Sequence, residues 1–183
     1  MTTMEKFLVK EANSGEEGTS PLLTINCNTD GGARNNGKPN AIASIGVVIM
    51  NGEDKIERSE YLGPKIYKNG IGITVTNNIA EYIAVIRCLE TLNKMELGGA
   101  DPKTHRIIIS VDSMLVYEQT NGRWKINDGI LKLLNMETQR LKEELIKKNC
   151  CLTVKYVPRE FNSEADRLVN LGFSNKNLVK FSL

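Results

Sequence analysis

Apolar and polar residues alternate through LLTINCNT (residues 22–29), and the alternation stops at the turn-rich stretch DGGARNNGKPN (30–40). A period of two predicts a strand with one buried face. AIASIGVVIM (41–50) predicts a second strand, and the NGED turn leads into a third, KIERSEYL (55–62). Tight turns between consecutive strands predict an antiparallel meander. GPKIYKNGIGITV (63–75) is rich in glycine and reads as a connection longer than the flanking elements require. The period then changes. In TNNIAEYIAVIRCLE (76–90), Ala80, Ile83, Ala84, Val85, Ile86, Cys88 and Leu89 predict a buried helix, ending near Lys94.

HRIIISVD (105–112) predicts a short strand buried on both faces, and SMLVYEQTNG (113–122) a short helix closed by Gly122. DGILKLLNMETQRLKEELIKKN (128–149) is amphipathic, with an apolar stripe of Ile130, Leu133, Leu134, Leu141, Leu145 and Ile146. CCLTVKYV (150–157) predicts the last strand and NSEADRLVNLGF (162–173) the last helix. The order β-β-β-α-β-α-α-β-α implies an α/β fold: one mixed five-stranded sheet, three antiparallel strands then two parallel ones, with helices on both faces. Residues 1–20 are polar and read as a tail or peripheral extension, residues 21–173 as the folded domain, and 174–183 as a C-terminal tail.

A chain of 183 residues fits one domain. Its net charge of +2 neither demands nor excludes a polyanionic partner, so local patches must decide. Cys27, Cys88, Cys150 and Cys151 form no CxxC pair and lie in apolar segments. That points to a reducing, intracellular setting (cytoplasm or nucleus) rather than secretion, and the lone His105 argues against zinc. No stretch approaches membrane-spanning length and no apolar leader precedes residue 20, so no membrane partner is expected.

Four acids change this picture. Asp30 and Asp112 each follow the end of a predicted strand, Glu81 sits in the first turn of the long helix, and Asp166 in the first turn of the last helix. Each alone has a plainer reading: Asp30 a turn residue, Asp112 a cap, Asn78-x-x-Glu81 and Ser163-x-x-Asp166 capping boxes. Together they converge on the carboxyl edge of the two parallel strands, where ligands bind in such sheets. Four carboxylates there repel one another unless hard divalent cations sit among them.

The wording of these segments resembles type 1 ribonuclease H, closest to the archaeal-type branch. TDGGARNNG resembles the family's first-strand motif, TNNIAE its helix opening, VDSMLVYEQTNG its Asp-Ser strand end, and VPREFNSEADRLVN its last motif. The resemblance implies a monomeric endonuclease that cleaves the RNA strand of RNA–DNA hybrids, leaving 5′-phosphate and 3′-hydroxyl ends. It implies Asp30, Glu81, Asp112 and Asp166 as ligands of two Mg²⁺ ions, with Mn²⁺ as a substitute. Gly31, Gly32, Asn36, Asn77 and Asn78 correspond to positions that meet the hybrid, and Thr76 to one that binds a DNA-strand phosphate. The glycines are expected to let backbone approach the RNA.

The sequence departs from many bacterial relatives in lacking a histidine before the last acid. Arg159 stands in that region and is assigned an auxiliary catalytic role, with a bond to Glu160 or Glu164 as the plainer alternative. The long basic protrusion of some relatives is missing, and Trp124 is expected either to touch the DNA strand or to anchor packing. Competing readings are a relative that also cuts double-stranded RNA, a domain detached from a reverse transcriptase, and an inactive nucleic-acid-binding module.

Overall fold

The computed structural model describes residues 23–95, 97 and 105–183, so the expected N-terminal tail lies outside the described residues. β1 (Thr24–Arg34), β2 (Ile42–Asn51) and β3 (Asp54–Gly63) form the antiparallel meander. β6 (Arg106–Val111) and β7 (Cys151–Tyr156) add in parallel on the far side of β1, giving the order β3-β2-β1-β6-β7. The helices are α1 (Asn77–Lys94), α2 (Met114–Thr120), α3 (Gly129–Lys147) and α4 (Ser163–Asn175). No helix among the described residues is long and apolar enough to cross a membrane.

β1 does not end at Asp30. Its antiparallel pairing with β2 continues to Arg34 opposite Ile42, whereas its parallel pairing with β6 stops at Thr29 opposite Val111. β6 gives out there, so Asp30 sits at the point where β1 loses one of its two neighbours.

Two consecutive glycines show how closely the layers pack. A Cβ on Gly31 would lie 2.2 Å from the backbone of Ala80 and Glu81 in α1. A Cβ on Gly32 would lie 2.8 Å from Val169 in α4. Successive strand residues face opposite sides, so α1 rides on one face of the sheet and α4 on the other. At both positions the absence of a Cβ lets a helix of the fold pack directly on β1.

The core lies mainly on the α1 side, where Ile25, Cys27, Ile107 and Ile109 of the sheet meet Tyr82, Ile83, Ile86 and Leu89 of α1 and Leu134, Leu141 and Leu145 of α3. The buried seam of α3 runs Leu131, Leu134, Thr138, Leu141, Leu145, and Ile146 of the expected stripe is exposed. Thr138 fits in the seam because its hydroxyl donates to the Leu134 carbonyl at 2.9 Å. Cys151 likewise departs from the expected burial and is exposed, while the other three cysteines are buried.

The glycine-rich connection is a hairpin of β4 (Lys65–Lys68) and β5 (Ile71–Thr74). Asn69 and Gly70 turn it with φ of 50° and 79°, as a two-residue type I′ turn requires. The C-terminal residues pair first with β3, Val179 N–H donating to the Tyr61 carbonyl at 2.8 Å, and then with β4, where Tyr67 N–H donates to the Phe181 carbonyl at 2.9 Å and Leu183 N–H to the Tyr67 carbonyl at 2.8 Å. Phe181 is buried there, with the Arg87 guanidinium 5.1 Å from its ring centroid. Arg87 also binds buried Glu60 of β3 at 3.0 Å, joining α1 to that edge of the sheet.

Candidate active site

Asp30, Glu81 and Asp112 converge at the carboxyl edge of β1 and β6. One carboxylate oxygen from each lies within 4.8 Å of the others. Carboxylate oxygens gathered this closely are the donor type that hard divalent cations take. Asp30 and Glu81 are buried, and Asp112 Oδ1 is buried with no hydrogen-bonding partner among the described residues. A buried carboxylate oxygen left unpaired is costly, and a hard cation satisfies it.

The electrostatics agree. Burial, then the charges of Asp112 and Asp166, push the Asp30 carboxyl up to about 7. Burial, then Asp30 and Asp112, raise Glu81 well above the carboxylate range. Burial also raises Asp112. The fold thus holds three acids where their own charge is disfavoured, as a structure does when a cation belongs among them.

Glu81 is not a capping residue. Thr76 caps α1, its hydroxyl oxygen accepting from Ile79 N–H at 3.2 Å. That sets Asn78 and Glu81 inside the helix, and Glu81 turns to the sheet, where its Oε2 accepts from Gly31 N–H at 3.3 Å. Asp112 is not a cap either, because Ser113 takes that place on α2. The box expected at Ser163-x-x-Asp166 also does not form: α4 starts one residue earlier than the box needs, with Asn162 at its N-cap.

Asp166 stands beside the other three acids rather than among them. Its Oδ1 accepts from Arg159 Nη2 at 2.8 Å and its Oδ2 from Asn170 Nδ2 at 3.0 Å. Arg159 therefore bonds the last acid and not Glu160 or Glu164. Its charge also favours the ionised forms of Asp30, Glu81 and Asp112.

The polar residues beside the acids form a definite pattern. Asn36 Oδ1 accepts from Asn77 N–H at 3.0 Å, and Asn77 Oδ1 accepts from Ala33 N–H at 3.1 Å. Each amide oxygen is used within the fold, which leaves the NH₂ groups to meet a ligand. Asn78 has no side-chain partner among the described residues. Trp124 is 51% exposed and anchors no core. Nearby, Arg123 lies 4.4 Å from the Tyr117 ring centroid.

Reading the sequence missed Asn162, which is 1% exposed. An asparagine just before a helix carries no signal in sequence beyond that of a cap, and only burial distinguishes it.

The family described as "Reverse transcriptase-like" matches residues 28–172. A bifunctional protein of Mycobacterium tuberculosis is 33% identical over 141 residues, covering 77% of this chain. The chain spans about one third (33%) of that relative's length. The relative's N-terminal ribonuclease H domain, solved as a fusion with maltose-binding protein, matches with a TM-score of 0.66 at 28% identity, covering 84% of this chain and 95% of that one. A ribonuclease H of Clostridium botulinum is 27% identical over 153 residues, covering 82% of this chain and 95% of the relative. LC11 ribonuclease H1, solved in complex with an RNA/DNA hybrid, matches with a TM-score of 0.67 at 32% identity, covering 83% and 98% of the two chains.

Proposed function

Because the chain belongs to the reverse-transcriptase-like family of ribonuclease H domains, we propose that it is a divalent-metal-dependent endonuclease that hydrolyses the RNA strand of RNA–DNA hybrids. The observation that carries this reading is the convergence of Asp30, Glu81 and Asp112 around a buried, unpartnered carboxylate oxygen. The hybrid bound by LC11 ribonuclease H1 supports the substrate class.

Asp30, Glu81 and Asp112 fit a Mg²⁺ site in donor type and spacing, with Asp166 completing a second position and Mn²⁺ able to substitute. Held by these acids, such ions would supply the activation of water and the charge neutralisation at the 3′-oxygen that in-line hydrolysis to 5′-phosphate and 3′-hydroxyl ends requires. Arg159 holds Asp166 from the solvent side and is assigned an auxiliary role in orienting it. Asn36 and Asn77 present N–H donors beside the acids, suited to the 2′-hydroxyl oxygen and to minor-groove acceptors on the bases. Asn78 offers both donor and acceptor. Thr76, having accepted from Ile79, keeps its O–H to donate to a DNA-strand phosphate at the positive end of α1.

A gel assay tests the reading. RNA–DNA hybrid, double-stranded RNA, single-stranded RNA and double-stranded DNA are each incubated with Mg²⁺ or EDTA, with wild type and Asp112→Asn side by side. Mg²⁺-dependent cutting of the RNA strand in the hybrid, lost in the variant, is expected. A folded protein that binds hybrid but cuts nothing in Mg²⁺ or Mn²⁺ would overturn it, and cutting of double-stranded RNA would widen the substrate class.

A further inference from the structure

We propose that Asn162 is a positioning residue, the joint that sets the separation of the acids carried by β1 and α4. This rests on the metal-site reading above. A residue at a helix start ordinarily uses its side chain to accept from the first free N–H groups of the helix. Asn162 makes no such bond. Its amide turns inward and is 1% exposed.

Both polar atoms of that amide are spent on the acidic edge. Oδ1 accepts from Asn28 Nδ2 at 3.0 Å, and Nδ2 donates to the Thr29 carbonyl at 2.9 Å. That carbonyl belongs to the planar peptide unit whose nitrogen is Asp30's own, so the bond grips the backbone leading into the first acid. The amide also favours the ionised form of Asp112. The Asn162 main chain completes the set, its carbonyl accepting from Asp166 N–H at 3.1 Å.

One side chain and its own peptide therefore bond to the main chain at two acids on two different elements, Asp30 of β1 and Asp166 of α4. A buried amide is tolerated only when its partners are in place, so these bonds over-determine its position and, through it, theirs. Residues that orient ligands in this way tune metal affinity without touching the ion.

The test reads metal binding directly, without substrate. Mg²⁺ or Mn²⁺ is titrated into EDTA-treated protein and followed by calorimetry and by the rise in Tm. Wild type is compared with Asn162→Ala and Asn28→Ala, and the Mg²⁺ midpoint of hybrid cleavage is measured in parallel. Asn162→Ala is expected to weaken metal binding about 10–100-fold and to raise the cleavage midpoint with it. A variant with lowered metal-free Tm but metal affinity within about twofold of wild type would mean a purely structural role and overturn the proposal. If Asn162→Ala does not fold, Asn28→Ala decides: it releases only the bond to Oδ1, so weaker metal binding supports the proposal and unchanged binding sinks it. Wild-type protein that takes up no divalent ion would instead overturn the metal-site reading itself.

Discussion

Replacing Asp30 by Asn should make the metal-free protein more stable at neutral and alkaline pH, although it removes a proposed ligand. The Asp30 carboxyl rises from 3.8 to about 7 through burial and the charges of Asp112 and Asp166. Its folded-state value lies above its unfolded one, so between those two values the folded chain binds more protons than the unfolded chain. Stability contributed by this group is therefore lost as pH rises from about 4 to about 7. Three pH units at about 1.4 kcal/mol each set an upper limit of roughly 4 kcal/mol. Rearrangement of Asp112 and Asp166 around the charge lowers this to an expected 2–4 kcal/mol, or roughly 5–15 °C in Tm for a chain of this size. Asparagine has nearly the same shape and carries no charge to bury. Urea unfolding in EDTA at about pH 4.5 and about pH 8 measures the difference. Near-equal stability at the lower pH and a more stable variant at the higher one are expected. A gap that stays flat with pH, or a wild type that is the more stable at the higher pH, would refute the claim that the fold stores charge repulsion there. Added Mg²⁺ should reverse the order, because only the wild type keeps the full ligand set.

Two further outcomes follow from the packing. Gly31→Ala places a methyl 2.2 Å from main-chain atoms of α1, which cannot give way as a side chain can. The cost is expected to be about 3 kcal/mol or more, read from the urea midpoint, and an unchanged midpoint would contradict the close approach of α1 to β1. Asn78→Ala removes a side chain that neither caps α1 nor bonds elsewhere, so stability should stay within about 0.5 kcal/mol. Its hybrid cleavage should fall nonetheless, and loss of stability at unchanged turnover would return Asn78 to a structural role.

The meander, the parallel pair and the helix faces were legible because one period dominates each segment. Alternation along residues 22–29 and helical spacing from Ala80 to Leu89 do not compete with any other pattern. The hairpin β4–β5 was passed over although Asn69-Gly70 is its turn signal, because the glycines around it dilute the alternation of Ile66, Ile71 and Ile73. The four acids stood out by their places at element ends, but what each does locally did not. Whether Glu81 caps a helix or faces the sheet depends on where α1 begins, and one threonine, Thr76, moves that start. The hydroxyl and amide oxygens of Thr76 and Asn162 look alike in sequence as caps. Only tertiary burial separates the one that caps from the one that does not.

The parallel pairing of β1 with β6 joins segments with a helix and four strands between them in sequence. Asp30 and Asp112 meet only after that crossover closes, and Asp166 is added by the last helix of the chain. No local fragment carries even two of the converging acids. High affinity for a divalent ion should thus appear late in folding, once the long-range pairings are made, and the ion should slow unfolding of the finished protein rather than guide the early collapse.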